Sequence, residues 1–361
     1  MKQLLAYCLS IILCVSFTGC MENYLDLYPE DKITSASFPE NESDIKLLLN
    51  GVYAQLREKE VYNQGLFGFG ITDGATPNAF NWGTDEVFNK LGAGRLSSSD
   101  GGVVTYRWKR CYEIISRANY LLACMDLVDL SEEAKAKYSG ETHFLRGLAY
   151  SVLAETYGGV PIILTNISTE EARSLKRASL EETWQQALDD YEVAITNLGV
   201  DAPEPGRATK GAALGMKMRA YLYQGKYKEV LACVEQIDAL KKYGLFHSYE
   251  GLFDPANENN KEVLFDIQYI EGENSQGSYI DQYCGTGTGS WTRGSRYVPT
   301  DDLVAAYETI DGSPVDPENP YENRDPRFRF SRLYFRVLIS WAIVSLITCI
   351  REVRLIMPVI G

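Results

Sequence analysis

Between Glu42 and Leu240 the chain is a series of segments with apolar residues every three or four positions, most opened by a residue able to cap a helix. That pattern confines the body to a helical architecture. Asn41 is placed to cap a first helix over Glu42–Glu58. A second helix is predicted over Val103–Val128, with Val104, Trp108, Ile115, Leu122 and Met125 on its apolar face. Ser131 starts a third, with Glu132 and Glu133 in the first turn, where acids suit the helix dipole. Leu145, Leu148, Val152 and Leu153 line its buried face. Gly158-Gly159 can supply a left-handed cap, and Pro161 blocks continuation. Ser179 and Glu182 form a capping box for a fourth, whose face runs Leu180, Trp184, Leu188, Tyr191, Ile195 and Leu198. Helices over Thr209–Tyr223 and Lys226–Leu240 follow, joined at Gly225. Tyr221, Gly225 and Tyr227 partly match the turn of a tetratricopeptide repeat, although Val230 and Val234 stand at its later alanine positions.

The interruptions matter as much as the helices. Asn63 to Gly102 is rich in Gly, Asn and Asp and too long for a simple connection, which suggests a functional surface excursion. Alternation over Glu262–Tyr269 suggests a short strand, and a polar, Gly-rich loop follows from Glu271 to Arg296. Thr300 is expected to cap a short helix, with Asp301 and Asp302 in a structural role in its first turn.

The N-terminus is of another kind. Lys2 precedes an apolar run from Leu4 to Phe17, and Ser16, Phe17, Thr18 and Gly19 lead directly to Cys20. This resembles a bacterial lipobox, which implies cleavage before Cys20 and acylation of that residue. The apolar run falls short of the ~20 residues that a membrane span needs. Glu22, Asp26, Glu30 and Asp31 would keep the tether hydrated, and acids just behind the cysteine resemble those that accompany export to the outer leaflet in Bacteroidetes. Of eight cysteines, Cys8 and Cys14 fall in the leader, Cys20 takes lipid and Cys349 lies in the tail. No CxxC or Cys/His spacing supports a zinc site, so Cys111, Cys124, Cys233 and Cys284 are expected to be free thiols.

Net charge is −14, and no basic face is available to displace counterions from a nucleic acid. Neutral ligands remain open. A glycosidase would need two isolated carboxylates, and no motif singles out a pair. His143 and His247 stand apart from any matching nucleophile, and Gly285 to Gly289 lacks the Lys-Ser/Thr of a phosphate loop. A non-catalytic protein is therefore expected. With 24 Tyr and 5 Trp the chain is well supplied with flat apolar faces for sugar rings.

Several separated motifs occur in a specific order. They are Leu25-Asp-Leu-Tyr-Pro29, Phe144-Leu-Arg-Gly-Leu-Ala-Tyr150, Tyr157-Gly-Gly-Val-Pro161, Pro299-Thr-Asp-Asp-Leu303, Asp311-Gly312 and Arg324-Asp-Pro-Arg-Phe328. In this order they resemble the SusD/RagB family of outer-membrane lipoproteins. The resemblance implies a mostly α fold, a tetratricopeptide-like scaffold of helical pairs with long irregular ligand-side loops and little strand. It implies an oligosaccharide ligand, sometimes a peptide, and a SusC-like TonB-dependent barrel over which the lipoprotein sits as a lid. An alternative is a helical-repeat interaction scaffold within such an uptake complex. No cofactor follows from the residues, and they do not speak to a structural calcium ion. The family has no fixed ligand motif here. Candidate binding residues are therefore chosen by composition: Asp73, Asn78, Asn81 and Trp82 in one loop, and Tyr279, Gln282, Trp291, Arg293 and Tyr297 in the other.

The expected organisation is a signal peptide over 1–19, a lipidated tether over 20–40, a SusD-like helical domain over 41–328 and an aberrant tail over 329–361. That tail holds five Arg and one acid around an apolar run from Val337 to Ile350. It is read as a frame change or premature end after Phe328, with a C-terminal membrane helix as the alternative.

Overall fold

The computed structural model describes residues 38–57, 74–81, 90–97, 99–269 and 297–328. The chain divides into Met1–Glu40 and Asn41–Gly361, and all elements named below lie in the second. Seven helices of the described residues form its body: α1 (Glu42–Tyr53), α2 (Val103–Cys124), α3 (Glu132–Tyr157), the short α4 (Thr169–Ser174), α5 (Leu180–Asn197), α6 (Lys210–Tyr223) and α7 (Tyr227–Ala239). The long helices pack in chain order, α2 on α3, α3 on α5, α5 on α6 and α6 on α7, while α1 lies against both α2 and α3. This is the stacked helical-pair scaffold expected from the sequence.

The caps explain where most of these helices begin. Asn41 Oδ1 accepts the Ser43 and Asp44 amides at 2.9 and 3.2 Å. Ser179 and Glu182 form the expected reciprocal box at α5, and Ser168 with Glu171 makes a second one at α4, a helix the sequence reading missed. Thr209 caps α6 through its hydroxyl.

Several expectations fail for identifiable reasons. The first helix gives way at Ala54–Arg57 to a tighter 3₁₀ turn, and Glu58 lies outside the described residues. The second stops at Cys124, where the Leu127 amide donates to the Cys124 carbonyl in a shorter-range turn. Its buried face only partly matches the expected one: Ile115 and Met125 are buried as expected and Cys111, Ile114, Ala118 and Leu121 are fully enclosed beside them, whereas Val104, Trp108 and Leu122 are only half-buried. Leu180 is exposed at the first turn of α5, although Trp184, Leu188, Tyr191, Ile195 and Leu198 are buried. Gly158 ends α3 at φ 75° and ψ −137°, a glycine-only conformation outside the left-handed helical region. Residues 262–269 form no strand among the described residues: Glu262 lies in a turn, Leu264 is buried, and Phe265 stands edge-on to Phe144 at 4.9 Å.

The centre of the stack is polar as well as apolar. Arg146 in α3 grips Asp190 in α5 through Nε and Nη2, with contacts down to 2.7 Å, and donates through Nη1 to Asn119 of α2 at 2.8 Å. Asn119 Nδ2 in turn donates to the carbonyls of Ile163 and Thr165. Tyr150 OH exchanges two hydrogen bonds with the Ile163 backbone, so the segment leaving α3 is held against both helices. Such a network satisfies each charge it buries. Its geometry needs Gly147, where a Cβ would lie 3.0 Å from Asp190 and Tyr191 side-chain atoms. The small residues of Phe144–Tyr150 thus sit at a close helix approach.

Candidate ligand-binding face

Beyond the stack, a two-stranded antiparallel ribbon pairs β1 (Ala79–Asn81) with β2 (Tyr297–Pro299). The register sets Ala79 opposite Pro299, Phe80 opposite Val298 and Asn81 opposite Tyr297. The sequence reading did not foresee this ribbon. Pro299 sits at its very end, as proline must in a ladder. Immediately after it, Thr300 caps α8 (Asp301–Ala306) by accepting the Leu303 amide at 3.2 Å. The same hydroxyl donates to the Pro77 carbonyl, and the Thr300 amide donates to the Asn78 carbonyl at 3.0 Å. One threonine therefore fastens both the helix and the ribbon. Asp301 and Asp302 are exposed in the first turn of α8, in the structural role expected.

The segment after α8 folds around Arg324. Its buried guanidinium donates to the carbonyls of Val304, Tyr307 and Pro320, which include two carbonyls at the open end of α8. Thr309 bridges Arg324 in antiparallel fashion, and Phe328 packs under the guanidinium at 5.0 Å and against Tyr307 at 5.2 Å. Arg327 closes on Asp325, whose carboxyl is held below the usual aspartate value first by that hydrogen bond. The Arg324–Phe328 motif is thus a brace for the ribbon and its helix.

Of the nine candidate binding residues, Asn78 is half-buried in the turn before β1, where its amide donates to Thr76 Oγ1 at 3.1 Å. Asn81 and Tyr297 are brought face to face as ladder partners. Asp73, Trp82, Tyr279, Gln282, Trp291 and Arg293 lie outside the described residues. The ribbon nonetheless pairs residues inside the first candidate loop with those that directly follow the second. Sequence reasoning passed over one aromatic of that stretch: Phe80 is 51 % exposed, and its place between Asn78 and Trp82 was the available signal.

Among the described residues no catalytic set accompanies this face. His143 is half-buried in α3, its Nδ1 is 2.8 Å from the Ser139 carbonyl, and burial lowers its pKa. Cys111, Cys124 and Cys233 are free and buried, in agreement with the sequence reading; Cys284 lies outside the described residues. Among the described residues no group of three His, Cys, Asp or Glu side chains could hold a metal ion, and no helix is long and apolar enough to cross a membrane. The tail 329–361 lies outside them.

Comparison with known proteins gives the family. Residues 23–222 match the SusD-like family described as starch-binding and associating with the outer membrane. A SusD-like protein of Formosa agariphila is 26% identical over 321 residues, covering 82% of this chain and 58% of its own length. A SusD-like protein of Bacteroides ovatus is 24% identical over 276 residues, covering 70% and 48%. The crystal structure of a SusD-like carbohydrate-binding protein from Bacteroides fragilis superposes with a TM-score of 0.70 at 28% identity, over 80% of this chain and 59% of that one. The chain thus spans about half to three fifths of these relatives. Their descriptions name binding rather than catalysis, in agreement with a non-catalytic reading. Ordered motifs, stacked helices and relatives converge: the chain belongs to the SusD-like family.

Proposed function

We propose that this protein is the capture subunit of an outer-membrane uptake system. It holds an oligosaccharide on the face built around β1 and β2 and hands it to a SusC-like TonB-dependent barrel. Cys20 carries the lipid that anchors it, with the protein facing the cell exterior. The observation that carries the reading is the Asn81–Tyr297 pairing, which joins the two loops chosen for their Asn, Trp, Tyr and Arg content. Aromatic faces pack on the C–H faces of sugars while amides and guanidinium groups take the hydroxyls. Phe80, exposed beside Asn81 on the strand, presents its ring on the opposite side of the ribbon.

Affinity electrophoresis in gels containing soluble starch, laminarin or xylan tests the reading. At least one polymer should retard the protein, and Trp82→Ala or Trp291→Ala should relieve the retardation without changing the unfolding midpoint. Retardation that survives both changes removes those tryptophans from the site. A protein that captures the barrel from membranes yet ignores every polysaccharide would instead be an interaction scaffold.

A further inference from the structure

On the α1 side of the stack, two clefts lie back to back. One, of about 210 Å³, is walled by the end of α1, the 3₁₀ turn at Leu56 and Arg57, and residues 265–268. The other, of about 280 Å³, runs toward Lys242, Tyr243 and Asn259–Lys261. They share the walls Pro205–Arg207 and Phe265–Asp266. The shared wall is a crossing of two chain segments that touch at Gly206. That residue has φ +78°, and a Cβ there would come within 2.8 Å of Gln268 Cγ. Only glycine lets the turn lie this close to residues 266–268.

The groups offered at the crossing suit one class of ligand. Arg207 is charge-balanced, with Glu141 and Glu204 each 3.5 Å from its guanidinium, so it offers little net charge to an anionic ligand at the crossing. Its Nη2 also ties down Asn50 at 2.5 Å, and its guanidinium lies 4.9 Å from the Tyr53 ring centroid. Gln268 Nε2 bridges Asp266 at 2.6 Å and Asn259 at 3.2 Å, so one amide links a carboxylate of the shared wall to a side chain of the second cleft. Asp266 is half-buried, and burial raises its pKa against the Gln268 hydrogen bond. A carboxylate in that state gains from hydroxyl donors. Tyr53, Phe265 and Tyr243 supply apolar ring surface along the same path. Each cleft alone falls below the ~300 Å³ at which small-molecule pockets usually begin, and together they exceed it.

We propose that the paired clefts across the Gly206–Asp266 crossing are a second carbohydrate site, taking a neutral chain of two or more sugar units laid over the crossing. Asp266 and Gln268 receive hydroxyls at the centre, and Tyr53 and Tyr243 flank the two ends. The inference rests on the capture reading above, but it uses none of the residues assigned to the ribbon face. Two sites on one protein would hold a polymer by avidity, tightening its capture without any new contact type.

The test is a crystal structure of the full chain soaked with maltotriose and, separately, with laminaritriose, joined to titration calorimetry of Asp266→Asn and Gln268→Ala. Sugar in the paired clefts, together with about a tenfold loss of affinity in either variant, supports the proposal. Sugar at the ribbon face alone, or density in the clefts with affinity unchanged in both variants, overturns it and leaves the capture reading standing. Sugar at neither place, in a protein that no polysaccharide retards, removes the capture reading and this inference with it.

Discussion

Arg146 and Glu141 sit one turn apart on α3 and carry opposite lessons about buried charge. Arg146 is fully engaged by Asp190 and Asn119, so Arg146→Met would strand the Asp190 carboxylate in the interior. A cost of about 3–5 kcal/mol is expected in urea unfolding, and the double change Arg146→Met with Asp190→Leu should recover much of it. A double variant as unstable as the single would show that the pair contributes something other than mutual neutralisation. Glu141 is 3 % exposed at its side chain and accepts the Tyr53 hydroxyl at 2.7 Å. Burial still raises its pKa, against the lowering effects of Tyr53, Arg207 and Lys137. A carboxyl with a raised folded-state pKa contributes stability that is fully present below its unfolded pKa and lost as pH rises through the folded one. The native protein should therefore lose stability relative to Glu141→Gln as pH climbs through the carboxylate range. Equal pH profiles for the two proteins would refute the assignment.

At the scale of elements, the ribbon and α8 are held by local fastenings and have no large apolar core of their own. Thr300→Val removes the cap on Leu303 and the bond to Pro77 together. Hydrogen exchange should accelerate at residues 77–81 and 297–304 while α3 and α5 stay protected, and uniform acceleration across the stack would contradict this. The same scale explains what was legible beforehand. Helices and their caps were readable because Asn41, Ser131, Ser179, Thr209 and Thr300 act within three residues of themselves. The ribbon was not, because three-residue strands carry no periodicity and their partner lies in a distant part of the chain. The paired clefts were missed for a similar reason. Tyr53, Arg207 and Asp266 come from three separate segments, and none has a distinctive neighbour in sequence. Residues 262–269 misled because burial there does not follow the alternation: Glu262 and Leu264 are enclosed, whereas Val263, Phe265 and Ile267 are half-buried and Tyr269 is exposed.

The helices of the body form a stack in which each leans on its neighbours, an arrangement that can unfold piecemeal. Here α3 is the exception, since it touches α1, α2, α5 and α6 and should make the array cooperative. Cys111 in α2 and Cys233 in α7 report from opposite ends, both buried, with burial pushing the Cys111 thiol up to about 12. Both should resist alkylation in the native protein and become reactive over one common span of urea concentration, read by mass spectrometry of their peptides. Labelling of Cys233 well before Cys111 would show that α6 and α7 fray independently.

The bond between Thr300 and Pro77 closes a separation of 223 residues, the ladder beside it nearly as many. Local helix contacts can form as each turn of chain emerges during synthesis, but β1 has no partner until almost the last of the described residues has been made. For most of that time the Asn78–Asn81 segment waits beside a finished scaffold with its backbone unpaired. The ribbon thus closes only after the helices of the stack have been made. An interruption late in translation would leave the helices intact and the ribbon unclosed.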